Sequence, residues 1–170
     1  ADDPSLPPVR LRAAGSLSAI DRPYLAAIQR RMAERGQSER FEYVGMVERA
    51  EKIHFLQSLD VLCLPTVYRE SKGLPVLEAW ANGVPVVVPE HGTFPELLAD
   101  TGGGLLCRPD DPNSLADALR QLMLAPALTH RAGCQGHAAV HARYHARRMA
   151  DDMHAWYQQV LRDYSAARTA

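Results

Sequence analysis

At 170 residues the chain is long enough for one domain with a substantial core. Hydrophobic residues make up 46% and charged residues 23%, which excludes a disordered chain. With 19 basic and 20 acidic residues it lacks the basic surface of a general nucleic-acid binder, and no apolar run reaches the roughly 18–20 residues that span a bilayer. Residues 1–8 hold three prolines and no periodicity, and are expected to be an N-terminal loop. Residues 9–13 alternate apolar and basic side chains as a strand does. Asp21 is placed to cap a helix with Pro23 in its first turn; Leu25, Ile28 and Met32 recur at helical spacing and Gly36 ends it.

The pattern then repeats. Residues 41–45 read as a strand and 48–56 as a helix. Val61-Leu62-Cys63-Leu64, closed by Pro65, is the continuous apolar run of a strand buried on both faces. A helix over 74–81 stops at Asn82-Gly83, a second buried strand covers 84–88, a short helix 93–98 and a strand 104–107. Gly102-Gly103-Gly104 is followed by no Lys-Ser/Thr, so it reads as a turn and not as a phosphate loop. Asp111 caps a helix that opens on Pro112 and turns Leu115, Leu119 and Leu122 inward. Two further helical segments follow. In the last, Met149, Met153, Trp156, Val160 and Tyr164 form one stripe, expected to be packing.

Alternating strands and helices predict an α/β fold: a Rossmann-like, doubly wound parallel sheet of about five strands with flanking helices. The divisions expected are a loop over 1–8, the Rossmann-like domain over 9–145 and a C-terminal helix over 146–170. Ligands of such sheets bind outside the C-terminal strand ends, here the loops that start at Gly15, Gly45, Pro65, Pro89 and Cys107. The three cysteines are odd in number and widely spaced, and no secretory signal opens the chain. Buried free thiols are expected, which fits a reducing, cytoplasmic compartment.

The stretch most informative about function runs from Tyr68 to Val87. Glu70 lies in a polar loop, Glu78 in an amphipathic helix, and Gly73-Leu74-Pro75 turns between them. Carboxylates accept hydrogen bonds from hydroxyls, and a helix N-terminus attracts anions, so the unit suits a ligand carrying sugars and phosphates. Lys72 is either a phosphate contact or a solvated lysine. His137, His141 and His145 fall at helical spacing, but Tyr144-His145 reads as a break between helices, and no carboxylate or thiol completes a metal shell. His91, at a strand end beside the cleft, reads as a rim residue.

Glu70-x7-Glu78, with Gly73-Leu74-Pro75 inside it and Gly83-Val84-Pro85-Val86-Val87 after it, resembles the nucleotide-binding domain of retaining glycosyltransferases of family 4, which have the GT-B fold. Supporting stretches are 41–47, 59–65, 92–96 and Asp110-Asp111-Pro112. The resemblance implies transfer of a hexose, with retention, from a nucleotide-diphospho-sugar to an unknown acceptor, without a cofactor or metal. It implies that Glu70 is catalytic, meeting donor-sugar hydroxyls near the reacting carbon. Backbone amides of Lys72, Gly73 and Leu74 face the sugar and diphosphate, Glu78 binds the ribose hydroxyls, and Gly45, Met46 and Val47 lie beside the base. Gly15 and Thr66, in loops at the same strand ends, complete the implied donor site.

Two departures from the family shape the expectation. An aromatic residue usual in the family is replaced by Lys72. The family's first strand, with its Arg- and Lys-bearing loop, and the N-terminal acceptor domain are absent from the sequence. The chain is therefore expected to be the donor half of a longer enzyme, inactive alone, whose full form can associate peripherally with a membrane. The missing strand belongs in mid-sheet. The strand from Val9 either pairs directly with the Val61 strand, in the order 2-1-3-4-5, or faces a gap with unpaired edges. Rival readings are an epimerase or phosphorylase of the same fold, or a non-catalytic interaction module. A dehydrogenase is disfavoured because no Gly-x-Gly-x-x-Gly follows any strand.

Overall fold

The structure, a computed structural model, describes residues 5–169; of the expected 1–8 loop, residues 1–4 lie outside the described residues. The fold is α/β and Rossmann-like. In chain order the elements are β1 (Leu11–Ala14), α1 (Arg22–Glu34), β2 (Phe41–Gly45), α2 (Arg49–Gln57), β3 (Leu62–Cys63), α3 (Leu74–Ala81), β4 (Val86–Pro89), α4 (Phe94–Thr101), β5 (Gly104–Cys107), α5 (Pro112–Leu124), α6 (Pro126–Arg143) and α7 (Ala146–Thr169). Every strand pairing is parallel.

The strands form two sheets, β1-β2 and β3-β4-β5, so the order with β1 hydrogen-bonded to β3 does not form. The alternative expected from the sequence, a gap between β1 and β3, is what forms: β1 pairs with β2 alone and β3 with β4 alone. Arg12 of β1 donates to Glu42 of β2 and to Ser58, just past α2, and its guanidinium lies over the Phe55 ring. These contacts tie β1 to β2 and to the end of α2. With one edge open, β3 is half-buried rather than buried on both faces, and only Leu62 and Cys63 pair with β4.

The core lies around β4 and α3. Val86, Val87 and Val88 are fully buried, as a central parallel strand requires. Trp80 of α3 is also fully enclosed, and its indole N–H donates to the Gly103 carbonyl at 2.7 Å. Gly103 and Gly136 admit the ring: a Cβ on Gly136 would stand 2.3 Å from Trp80 Cδ1. α6 thus seats against α3 at Gly136, and one turn earlier a Cβ on Gly133 would stand 2.3 Å from the Gly83 carbonyl oxygen just past α3; Ala132 and Ala139 beside them are also buried.

Capping separates two aspartates that look alike in sequence. Asp111 accepts the N–H groups of Asn113 and Ser114 and caps α5. Asp21 sits at the N-cap of α1 but makes no cap bond; its carboxylate takes the Ser18 hydroxyl instead.

All three cysteines are free, but only Cys107 is buried; Cys63 is half-buried and Cys134 is exposed, contrary to the expected burial of all three. The α7 stripe is also not packed. Every α7 residue whose burial is described is exposed, Trp156 by 60%. No helix among the described residues is long and apolar enough to cross a membrane.

Candidate functional site

The site is built on the loop between β3 and α3. Gly73 caps α3 with φ of 65°, a left-handed conformation that favours glycine, and Pro75 follows in the first turn. Glu70 folds back over this start. Its Oε1 accepts the N–H groups of Ser71, Lys72 and Gly73 at 2.9, 3.1 and 3.4 Å. The bonds from Lys72, then Gly73 and Ser71, outweigh burial and hold the carboxyl below the usual carboxylate range. Oε2 takes no part in these three bonds.

The loop after β4 fixes the backbone of Glu70. Thr93 N–H donates to the Glu70 carbonyl at 2.9 Å. Gly92 passes so close that a Cβ there would lie 2.4 Å from the same oxygen. His91, read from sequence as a rim residue, is a strut between the two loops: Nε2 lies 2.9 Å from the Thr66 carbonyl. A carbonyl only accepts, so Nε2 carries a proton and donates it. Nδ1 and the Thr66 hydroxyl oxygen are both buried without a partner.

A second group gathers at the ends of β1 and β2. Gly15 N–H donates to the Gly45 carbonyl at 2.9 Å, and the Tyr43 hydroxyl donates to the Gly15 carbonyl at 2.7 Å. Met46 is exposed beyond them, and Val47 leads into α2, whose start is locked by a reciprocal capping box between Glu48 and Glu51. An open cavity of about 420 Å³ borders Val44, Met46, Val47 and Glu51 and reaches Arg12 and Phe55.

The sequence-predicted site residues therefore fall into two sets on two sheets. Thr66, Glu70, Lys72, Gly73 and Leu74 belong to the β3 side, and Gly15, Gly45, Met46 and Val47 to the β1–β2 side. Glu78 joins them. It projects half-exposed from α3, and its Oε1 meets Lys52 Nζ of α2 at 2.5 Å. Lys52 was not singled out from sequence, because its partner lies 26 positions away. Lys72 and Leu74 are exposed.

The histidine series does not form a metal site. The rings of His137 and His141 lie 4.3 Å apart with their planes inclined at 52°, but α6 ends at Arg143 and His145 Nδ1 accepts the N–H of Arg148 in α7. Among the described residues no group of three His, Cys, Asp or Glu is arranged to hold a metal ion.

The family model described as "Glycosyl transferases group 1" matches residues 2–138. A curated relative, the D-inositol 3-phosphate glycosyltransferase of Mycolicibacterium paratuberculosis, is 31% identical over 163 residues, covering 96% of this chain and 37% of its own length. Among solved structures, sucrose-phosphate synthase from Thermosynechococcus elongatus superposes with a TM-score of 0.77 at 26% identity, covering 91% of this chain and 39% of that one. HepE of Anabaena, solved in complex with UDP, has the same fold with a TM-score of 0.76 at 20% identity, over 88% of this chain and 42% of its own. The chain thus spans less than half the length of each of these proteins.

Proposed function

We propose a function that proceeds from one premise: this chain belongs to the glycosyl transferases of group 1. Within that family we assign it to the retaining enzymes of family 4, as the donor-binding half of a longer, cytoplasmic protein that transfers a hexose without metal or prosthetic group. The donor is a nucleotide-diphospho-sugar, a class consistent with the UDP held by HepE. The single observation that carries this reading is the pair of carboxylates on one loop–helix unit. Glu70 is pinned on the amides that open α3, and Glu78 stands half-exposed further along the same helix.

Each group has a distinct task. Glu70 is held through Oε1, which leaves Oε2 to accept a sugar hydroxyl near the reacting carbon. The N–H groups of Lys72 and Gly73 already donate to Glu70 Oε1, so the Leu74 N–H and the positive end of α3 favour the diphosphate and its growing charge as the sugar departs. Lys72 adds an exposed cation at the same place. Glu78 accepts the ribose hydroxyls, and the Gly45-Met46-Val47 segment lines the base, with Gly15 and Thr66 closing the two loop ends. Rate comes from orientation and charge stabilisation, with the acceptor supplied from a second domain.

The test is calorimetric and kinetic, in the longer enzyme. A hydrogen bond to a charged group is worth about 1.5–3 kcal/mol, so Glu78→Ala weakens nucleotide diphosphate and nucleotide-sugar alike by roughly tenfold to a hundredfold. Glu70→Ala spares the bare nucleotide diphosphate and cuts turnover sharply, because its contact tightens in the transition state. Wild-type affinity and turnover in both variants would replace this reading with that of a non-catalytic interaction module. Purified residues 1–170 alone transfer no sugar; turnover by that chain would sink the donor-half assignment.

A further inference from the structure

The Lys52–Glu78 pair bridges the two helices that bracket the site, yet its exposure argues against a role in stability. The side chains are 39% and 42% accessible, and ion pairs so open contribute little to folding. Its components are nevertheless held firmly. The start of α2 is locked by the Glu48–Glu51 capping box, and Leu56, near its other end, is buried in the core. α3 is fixed by Val76, Ala79 and Trp80, none of which is accessible. Two rigid elements therefore bring an ammonium to one oxygen of a carboxylate and leave the other, Oε2, outside the bond.

We propose that Lys52 is a positioning residue for Glu78 and thereby sets the preference for a ribose diol over a 2′-deoxyribose. This rests on the reading of Glu78 as the ribose acceptor. A glutamate at a half-exposed helix position otherwise samples several staggered rotamers, and a ligand must select one of them on binding. Lys52 makes that selection beforehand. It also occupies Oε1 alone, so that Oε2 is left to accept from the 2′-hydroxyl. With the carboxylate so fixed, the 2′-hydroxyl finds its acceptor in place. Without Lys52, the cost of ordering falls on the contact that the 2′-hydroxyl makes.

The experiment uses the full-length protein and two probe pairs, UDP with 2′-deoxy-UDP and GDP with 2′-deoxy-GDP, titrated calorimetrically. The pair containing the base that wild type binds more tightly is the one analysed. Lys52→Met lowers affinity for the ribonucleotide by roughly threefold to tenfold and leaves the deoxynucleotide near its wild-type value, so the ribo/deoxy ratio shrinks. Lys52→Arg retains most of the ratio. In steady state Lys52→Met raises the donor KM while kcat holds. A general structural or charge effect would weaken both sugars equally, leave the ratio intact and overturn the proposal. Should Lys52→Met not fold, Lys52→Gln is read in the same way. Glu78→Gln separates the two levels. If it collapses the ratio while the Lys52 variants do not, the positioning role fails and the ribose reading stands. If it leaves the ratio unchanged, both fail.

Discussion

The two parallel sheets of this chain are built alike and packed differently. β1 and β2 pair over four positions, as β4 and β5 do. Yet no described residue before Leu56 is buried, whereas Val76 to Val140 supply every other member of the apolar core. On β1–β2, Arg12 faces Glu42, and Arg10, just before β1, joins them in an ion-paired cluster. β4 instead carries three valines enclosed on both faces. A hydrogen-bonded ladder thus does not by itself make a core. Stability follows the apolar area withdrawn from water, and that is concentrated between β4, α3 and α6.

The comparison is tested most severely at Trp80. Trp80→Ala empties a fully enclosed site and removes the bond to Gly103, so about 3–5 kcal/mol is lost, enough to unfold a marginal domain. Tyr24→Ala, at a position 71% exposed on α1, changes stability by no more than about 0.5 kcal/mol. Urea denaturation followed by circular dichroism measures both. Equal losses would dissolve the contrast between the two regions.

Native-state hydrogen exchange reads the same contrast without mutation. The amides of Val86, Val87 and Val88 exchange through global unfolding, whereas those of Arg12 and Ala13 exchange through smaller, local openings. Matching protection in the two sheets would show that they open as one unit.

pH separates the regions further. Burial, then the Asp100 carboxylate, pushes the Tyr144 hydroxyl from 10 up to about 12, so its contribution is complete below pH 10 and lost as pH rises towards 12. Tyr144→Phe flattens that alkaline limb. The Arg12 guanidinium lowers Glu42 from its ordinary 4.5, so the contribution of Glu42 is present above pH 4.5 and is lost as pH falls through the lowered value. Glu42→Gln removes its share of the acid limb, to which Glu70, Asp100 and Asp111 also contribute, and leaves the alkaline one. Stability measured across the pH range in the three proteins checks both limbs.

The smallest effect is chemical. At neutral pH a thiol reagent labels Cys134, which is exposed, while Cys63, pushed by burial up to about 11, and Cys107, also raised by burial, react only on unfolding. Mass spectrometry of the labelled peptides counts the sites.

What the sequence revealed follows the range of the interaction. The Asp111 cap is legible because its acceptor and donors lie within three positions of each other. The same residue type at 21 misleads, because Ser18 is an equally local competitor for the carboxylate. The Val61–Leu64 run signals a buried strand, but burial on both faces also needs a neighbour on each edge, which the run does not encode. The α7 stripe marks an apolar face and says nothing of what covers it. In the candidate site, the Glu70 loop is legible from its Gly-Leu-Pro turn, whereas the His91–Thr66 strut and the Lys52–Glu78 pair join residues 25 and 26 positions apart and emerge only from the fold.

The enclosure of Trp80 has an optical consequence. The chain holds two tryptophans, and they occupy opposite extremes: Trp80 has no accessible surface, and Trp156 is 60% exposed on α7. Trp80 emits from an apolar, rigid setting at short wavelength and is shielded from acrylamide, while Trp156 emits at long wavelength and is quenched freely. Trp156→Phe leaves a single fluorophore that reports the core, and Trp80→Phe one that reports whatever comes to rest on α7. One protein therefore carries separate intrinsic reporters for its core and for the surface of α7, with no dye attached.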